Sequence, residues 1–302
     1  MVPEIDVDAR KTELSPGKKT IPEVTAIIVT YNSAECIHSC LVRLTNELEG
    51  IDGEIIVFDN NSSDNTVEQV KAFEPLCKIV ESDKNLGFAA ANNIAVENAH
   101  GKYILFANPD TILDEGSVSR LVSALKKQPD AGAVVGRMRN PDGSFQPTCR
   151  KVPNSRNIFL SRGSVLSRMM LPSKRRNPFT MDDFDKITEV PAAAATCMLI
   201  DREFFSRIGG FDNRFFLFAE DVDLSVRIRQ NDRKVYFVPE AGAVHQWGKG
   251  ARVSSVKRSM HHHVAVWKYF MKHYPNGFSL FVLPAALFLN FTIRAITGIE
   301  SK

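Results

Sequence analysis

The sequence lacks the motifs of several common nucleotide-binding and metal-binding proteins. Its five cysteines form no CxxC pair, and an odd number cannot all be joined in disulfides. It contains no GxGxxG and no GxxxxGK[ST] segment, which excludes the dinucleotide-binding fingerprint and the P-loop. Unpaired cysteines favour reduced thiols, and the first twenty residues have no apolar core of a signal peptide. We therefore expect a cytoplasmic protein.

A large net charge is also missing, because 38 Lys and Arg against 35 Asp and Glu leave only +3. So small a charge gives no global attraction to nucleic acid, and we expect no nucleic-acid partner. The charge is nevertheless uneven, since residues 137–176 hold ten Lys or Arg and one acid. Residues 274–293 carry no charge at all, and Pro284 interrupts the apolar run 278–289. About 20 well-formed helical residues are needed to span a bilayer, so this run does not predict a membrane span.

Short apolar runs alternate with amphipathic stretches along the chain. The predicted strands are 24–32, 54–58, 78–81, 102–106, 133–138, 192–200, 234–238 and 242–245. The predicted helices are 34–48, 63–73, 89–99, 117–127 and 222–230. This alternation predicts an α/β fold with a doubly wound, mostly parallel central sheet, which binds ligands at the carboxyl edge of its strands.

Polar residues follow three of the predicted strands at that edge. They are Thr30, Tyr31 and Asn32, then Asp59, Asn60 and Asn61, and finally Asn108 and Asp110. Turn formation explains Asn60, Ser62 and Asp64 about as well as contact with a ligand. It explains Asp59 and Asp110 less well, because each closes an apolar strand, where an unpaired carboxylate is costly to bury.

Three acids, Glu220, Asp221 and Asp223, lie at the start of the predicted helix 222–230. Helix capping and compensation of the helix dipole would explain them. They also follow an apolar segment, 211–218, which contains four phenylalanines. Partial desolvation there would raise a carboxylate pKa and make that group a better base. Both interpretations stay open at this point.

Six segments, taken together and in order, resemble the family 2 glycosyltransferases of the GT-A fold. They are TAIIVTYNS, VFDNNSSDNT, NLGFAAANN, ILFANPDT, GGFD, and FAEDVDLSVRIR with VHQWG. The resemblance is strongest to the rhamnosyltransferase-like bacterial branch that builds cell-surface polysaccharides. It implies an inverting transfer of a sugar, L-rhamnose in that branch, from a nucleoside diphosphate sugar to a hydroxyl. The donor would be a dTDP- or UDP-sugar, and the acceptor a glycan or a lipid-linked glycan.

The resemblance also implies roles for individual residues. The nucleotide sugar would be bound by Thr30, Tyr31, Asn32, Asp59, Asn61, Asn85, Gly87, Asn92 and Asn108, with Asp59 accepting from the pyrimidine imide N–H. The family's Asp-x-Asp metal motif stands here as Asn108-Pro109-Asp110, so Asp110 and His245 would hold Mg²⁺ or Mn²⁺. Asp221 is the expected general base, with Glu220 or Asp223 as the alternative.

These expectations divide the chain into a flexible tail (1–22), a GT-A domain (23–250) and a helical apolar extension (251–302). Within the domain, 23–140 is the nucleotide-binding half, 141–189 a basic loop insertion and 190–250 the acceptor and catalytic half. The basic loop and the extension together predict peripheral contact with the inner face of the cytoplasmic membrane. A buried helix or a homodimer surface explains the extension equally well. We expect His261–His263 at the surface, because consecutive helical side chains point apart.

Three other classes of protein compete with this interpretation. A sugar nucleotidyltransferase would need a Gly-rich basic loop near the first strand, and VTYNSAEC lacks one. A non-catalytic sugar-nucleotide sensor would retain Asp59 and could dispense with Asp221. A membrane-associated structural subunit would need none of the nucleotide-facing residues.

Overall fold

The computed structural model describes residues 21–155, 157–158, 181, 183–246, 248 and 254–297. The strands are β1 (Val24–Thr30), β2 (Gly53–Asp59), β3 (Cys77–Glu81), β4 (Tyr103–Ala107), β5 (Thr111–Leu113), β6 (Ala131–Arg139), β7 (Cys149–Arg150), β8 (Thr188–Val190), β9 (Ala192–Ala193), β10 (Cys197–Asp201) and β11 (Lys234–His245). The helices are α1 (Ile37–Glu49), α2 (Thr66–Lys71), α3 (Phe88–Glu97), α4 (Ser117–Lys127), α5 (Arg202–Arg207), α6 (Glu220–Gln230), α7 (Ser255–His273) and α8 (Leu283–Thr297), with a π-helical turn (Phe278–Val282) before α8.

One sheet organises the molecule, with strand order β3-β2-β1-β4-β10-β6-β11-β5. Strands β1 to β4, β6 and β11 point the same way, whereas β10 and β5 run antiparallel to their neighbours. Strand β8 adds antiparallel to β11, and β7 with β9 forms a separate two-stranded sheet. The predicted α/β fold with a mostly parallel central sheet is confirmed.

The sheet is buried on both faces. Ala26 and Ile28 of β1 join the apolar cluster under α1 and α4, while Ile27 joins the cluster under α3 and α5. Because successive side chains of a strand point to opposite faces, both layers need apolar residues. This explains why the strands are continuous apolar runs with no alternation.

Three predicted elements differ from the structure. The run 192–200 is two strands, because the chain leaves β9 after Ala193 and joins the large sheet as β10 at Cys197. The runs 234–238 and 242–245 are one strand, β11, with an irregular register between Val238 and Gly242. The short strands β5, β7 and β8 were not predicted, since two or three residues show no periodicity.

Three arginines of the basic segment 137–176 pair with acids of the same chain. Arg137 pairs with Asp183 at 2.9 Å, Arg139 with Asp114, and Arg150 with Asp221 at 3.6 Å. The other Lys and Arg of this segment, apart from Lys151, lie outside the described residues. Residues 1–20 of the predicted tail and Trp247 of the VHQWG segment also lie outside them. The arginines that the structure does describe are therefore engaged by acids of the same chain.

The C-terminal helices pack against α6 and the segment before it. Tyr269 and Phe270 of α7 and Leu283 of α8 form a third apolar cluster with Phe215 and with Val222 of α6. Among the helices that the structure describes, none is long and apolar enough to cross a membrane. The predicted surface position is wrong for one histidine of the triplet 261–263, since His263 is buried and contacts Asn290 at 2.8 Å.

Candidate active site

The loops after β1 and β2 are joined around a buried carboxylate. Asp59 accepts hydrogen bonds from the Thr30 hydroxyl (2.8 Å) and from the backbone N–H (2.8 Å) and hydroxyl (2.6 Å) of Ser62. Asn32, at a φ of 52°, accepts from the Ser63 N–H at 2.7 Å and so joins the same two loops. Asp59 therefore fixes this edge of the sheet, a role that the sequence did not reveal. Its contact with a nucleoside base stays a prediction.

The loop before α3 connects the two halves of the domain. Gly87 has a φ of 82°, and a Cβ there would lie 2.3 Å from the carbonyl oxygen of Phe216. The neighbouring Phe88 N–H donates to the same carbonyl at 2.7 Å. A side chain at position 87 would therefore separate this loop from the aromatic segment that leads to α6. The Asn85 side chain accepts from the Gly87 N–H at 2.9 Å and holds the turn.

The remaining predicted nucleotide-binding residues differ in accessibility. Tyr31 is half-buried, and Asn61 is exposed with a φ of 66°. Asn108 accepts the Thr111 N–H on its carbonyl (3.1 Å), which closes the turn containing Asp110. Asn92 is buried and donates to the Phe88 carbonyl one helical turn earlier, at 2.8 Å. The Asn92 amide therefore supports the start of α3 and does not line the cleft.

Asp110 and His245 lie side by side, as the predicted metal pair requires. Residues 111 and 245 are partners in the pairing of β5 with β11, which brings the two side chains together. His245 Nε2 is 3.1 Å from Asp110 Oδ1, and both residues are buried. His245 Nδ1 contacts Gln146 Oε1 at 2.7 Å, and an amide oxygen can only accept, so the Nδ1 proton is assigned there. Nε2 is thereby directed at Asp110.

This pair fits a divalent cation. Two ligands about 2.1 Å from an octahedral ion on adjacent positions are about 3.0 Å apart, close to the observed separation of 3.1 Å. The second nitrogen of His245 has the hydrogen-bond partner that ligating histidines usually have. Within the described parts of the chain, no group of three or more His, Cys, Asp or Glu side chains could hold an ion alone. A cation here would take its other ligands from a bound substrate and water.

One short segment connects this pair to the predicted base. Gln146 contacts His245, and Arg150, four residues later, lies 3.6 Å from Asp221 Oδ2. Four extended residues span at most about 14 Å, so one short segment carries both the contact to the predicted metal pair and the contact to the predicted base. Gln146 and Arg150 are the functional residues that sequence reasoning missed, since Arg150 was counted only as part of a basic stretch.

Glu220 and Asp221 begin helix α6 after two residues in left-handed conformation, Phe218 (φ 70°) and Ala219 (φ 66°). Non-glycine residues are rare in this conformation, and such strain concentrates at functional sites. Asp221 Oδ1 accepts from the Val222 N–H at 2.7 Å, which leaves Oδ2 toward Arg150. Glu220 Oε2 is buried with no hydrogen-bond partner among the described residues. Burial, followed by the nearby Asp221, raises the pKa of Glu220 to about 8.

Asp223, the third acid, is wrong as an alternative base. It is fully buried and contacts Arg227 Nε (2.8 Å), Lys272 Nζ (2.6 Å) and His273 Nε2 (2.7 Å). Burial alone would raise its pKa, but hydrogen bonds from His273 and Lys272 and the charge of Arg227 lower it. A carboxylate held by two cationic groups and a histidine, with its pKa lowered, cannot accept a proton readily. It connects α6 to α7 and positions the end of the helix that carries Asp221.

The pKa of Glu220 makes stability depend on pH. Its raised folded-state pKa means that its contribution is complete below the unfolded value of 4.5 and is lost as pH rises toward about 8. We expect the unfolding temperature of the wild type to fall between pH 6 and pH 8 more steeply than that of Glu220→Gln, in thermal melts. The exposed Glu240→Gln is the matched control and should keep the wild-type slope. Equal slopes for all three proteins would contradict the assignment.

Comparison with known proteins decides the family. The sequence model of glycosyl transferase family 2 matches residues 25–209, which include Asp59, Gly87 and Asp110. This chain belongs to glycosyltransferase family 2. Asp221 on helix α6 and His245 lie beyond the matched segment, so the match says nothing about them and their positions come from the structure.

Two relatives and one solved structure extend this family 2 assignment. An N-acetylglucosaminyl-diphospho-decaprenol L-rhamnosyltransferase of Mycobacterium tuberculosis is 29% identical over 235 residues, 72% of this chain and 74% of the relative. Rhamnosyltransferase WbbL of Escherichia coli is 26% identical over 230 residues, 74% of this chain and 83% of the relative. A Pyrobaculum calidifontis mannosyltransferase, solved with GDP-Man and Mn²⁺, aligns with a TM-score of 0.56 at 20% identity, over 95% of this chain and 78% of its own. The protein is a glycosyltransferase with the GT-A fold.

Proposed function

We propose that this glycosyltransferase transfers L-rhamnose from a dTDP- or UDP-linked donor to a hydroxyl of a lipid-linked glycan, with inversion at the anomeric carbon. The observation that carries the proposal is the row of groups from Asp110 and His245, past Gln146 and Arg150, to Asp221. Both relatives described above are named as rhamnosyltransferases, and one is named for a lipid diphosphate acceptor. The reaction would take place in the cytoplasm, at the inner face of the cytoplasmic membrane.

The carboxyl edge of β1 and β2 supports the donor side of the proposal. The two loops there are tied together by Asp59 and Asn32, so their backbone is fixed before any ligand binds. Tyr31 and Asn61 remain accessible on these loops to contact the base and ribose. A fixed loop binds at a lower entropic cost than a loop that must be ordered on binding.

Asp110 and His245 would hold Mg²⁺ or Mn²⁺, which would neutralise charge on the leaving diphosphate. The mannosyltransferase of the same fold was solved with Mn²⁺, which supports this role. In the motif Asn108-Pro109-Asp110 the first residue carries no charge, so Asp110 is the only carboxylate that the motif offers to a cation. Gln146 would keep the ring of His245 in the orientation that ligation needs.

Asp221 would remove the proton from the acceptor hydroxyl as its oxygen attacks the anomeric carbon. The bond from that carbon to the diphosphate oxygen breaks, and the proton passes to Asp221. The Arg150 guanidinium lies 3.6 Å from Asp221 Oδ2 and would hold this carboxylate in one orientation. Glu220, with a pKa of about 8, is largely protonated at neutral pH and is therefore a poor base under those conditions.

A panel of nucleotide sugars tests the donor side in thermal melts, with and without Mn²⁺. A donor at a hundredfold excess over its Kd should stabilise the fold by about 2.7 kcal/mol, which is several degrees in the melting temperature. We expect dTDP-rhamnose with Mn²⁺ to give the largest shift, and GDP-mannose the smallest. A larger shift with a purine donor would contradict the proposed nucleoside. Shifts without transfer to any lipid-linked acceptor would contradict the proposed acceptor.

A further inference from the structure

The C-terminal helices carry an apolar surface that the described parts of the chain leave exposed. On the π-helical turn and α8, Phe281 and Phe288 are 75% and 73% exposed. Leu280, Val282 and Leu289 are at least half exposed. Such a group of large apolar side chains on a folded protein marks a site of interaction with a membrane or another protein. We call these five residues the C-terminal apolar face.

Helical geometry places this face on one side of α8. Phe281, Ala285 and Phe288 are exposed and recur at intervals of four and three residues, so they lie on one side of the continuous helical segment formed by the π-helical turn and α8. The other side packs inward, since Leu283 is buried against Tyr269 and Phe270, and Asn290 contacts His263. The helix therefore lies along the protein with its outer side uncovered.

Helix α7 also carries exposed apolar residues, and part of it lies beside the segment before α6. Val256, Met260, Val264 and Trp267 are all exposed, and their spacing puts them on one side of α7. On the same helix His261 stacks on Phe216, with ring centroids 4.6 Å apart. Phe216 lies four residues before Glu220, so this part of α7 lies beside the segment that leads to the candidate base.

Charge identifies the kind of partner. Residues 241–299 contain no Asp or Glu and seven Lys or Arg, although the whole chain is nearly neutral. Lys272 is paired with Asp212 and Asp223, whereas Lys257 of α7 is exposed beside Val256. A second copy docked face to face would bring the same positive charge to both sides of the interface. A surface of anionic lipid headgroups complements it, and each Lys or Arg near such a surface strengthens binding about fivefold.

We propose that the C-terminal apolar face docks on an anionic lipid surface, with α8 in the plane of the membrane interface and the basic residues of α7 near the headgroups. Amphipathic helices bind interfaces in this way, with apolar side chains among the acyl chains and Lys and Arg toward the headgroups. The inference deepens the proposed function, because a docked enzyme would present its cleft to an acceptor held in the same membrane.

Vesicle flotation without donor or acceptor tests the docking. The probes are vesicles of equal parts phosphatidylglycerol and phosphatidylcholine, with vesicles of phosphatidylcholine alone for comparison. We expect the full chain to float with the anionic vesicles at low salt and less at high salt. Phe281→Glu/Phe288→Glu should weaken this binding at least tenfold, because two large apolar side chains no longer enter the interface. Absence of binding by the wild type, or unchanged binding by the double variant, would overturn the proposal.

A matched variant and two further measurements separate docking from other effects. Ile21→Glu replaces an equally exposed apolar residue (77%) that precedes β1, and it should float like the wild type. Melting temperatures should be equal for all three proteins, because the changed side chains are exposed. Turnover of a water-soluble acceptor by the double variant should also be unchanged, so a failure of docking is distinct from a failure of the proposed reaction. A wild-type dimer by light scattering that the double variant converts to monomers, without any vesicle binding, would assign the face to a second copy and overturn the proposal.

Discussion

Asp221→Asn should lower kcat by about 10² to 10⁴, the contribution of a positioned general base. The substitution keeps the size of the side chain and removes its capacity to accept a proton. Its Oδ1 can still accept from the Val222 N–H, so the start of α6 should remain intact. Initial-rate measurements with the donor that gives the largest thermal shift would provide kcat and KM separately.

Two comparisons make this result specific to the base. Donor stabilisation in thermal melts should be the same for Asp221→Asn and the wild type, because Asp221 is assigned to the acceptor side. Asp223→Asn, the same change two residues later, should lower the melting temperature, because it removes the carboxylate that the largely buried Arg227 and His273 contact. Full turnover by Asp221→Asn would move the base to another group, and Glu220 is the nearest candidate.

Asp110→Asn should lower kcat/KM for the donor by two to three orders of magnitude, about the effect of losing one main electrostatic stabiliser of a leaving group. The pair with His245 would lose its single carboxylate and its affinity for a hard cation. Titration of Mn²⁺ in the presence of a nucleoside diphosphate should stabilise the wild type in thermal melts and stabilise the variant much less. A chelator should abolish wild-type activity, and added Mn²⁺ should restore it.

Asp114→Asn is the control for this experiment. It makes the same chemical change four residues later, on a carboxylate that pairs with Arg139 and not with His245. Its Mn²⁺ response should match that of the wild type. If Asp110→Asn keeps the wild-type response, Asp110 does not bind the cation, and the buried contact with His245 is structural.

The sequence predicted an element correctly where the apolar residues that the element buries form a recognisable pattern within its own length. Helix α4 was predicted with its observed bounds, 117–127, because Val118, Leu121, Val122 and Leu125 form a clear apolar stripe. The run 192–200 was predicted as one strand because its apolar character is continuous. Nothing in that character shows that Ala192 and Ala193 pair with β7 while residues from Cys197 pair with β4. A change of partner leaves no trace in hydrophobic periodicity.

The same limit applies to the site. Asp221 and Asp223 are both acids in the first turn of one helix, and local sequence cannot separate them. They differ through distant contacts, because Asp223 lies against residues 272 and 273, about 50 positions later. Arg150 is 71 positions from Asp221, and its place in a basic stretch concealed its contact with that acid. The strand-end position of Asp110 was predictable, because the carboxyl ends of parallel strands meet at one edge.

The place of strand β10 has a consequence for the order in which the enzyme assembles. It lies in the middle of the sheet, between β4 and β6, yet it is encoded after both of them. Strands β1, β2 and β3 pair across 22 to 29 positions of the chain, whereas β4 pairs with β1 across 79 positions, and contacts between nearby positions favour fast folding. Strand β6 is joined to β4 only through β10, which pairs with both and ends at residue 201. The connection therefore cannot form until that residue has been synthesised. We therefore expect the loops after β1 and β2 to form on the growing chain before residues 110 and 245 can meet.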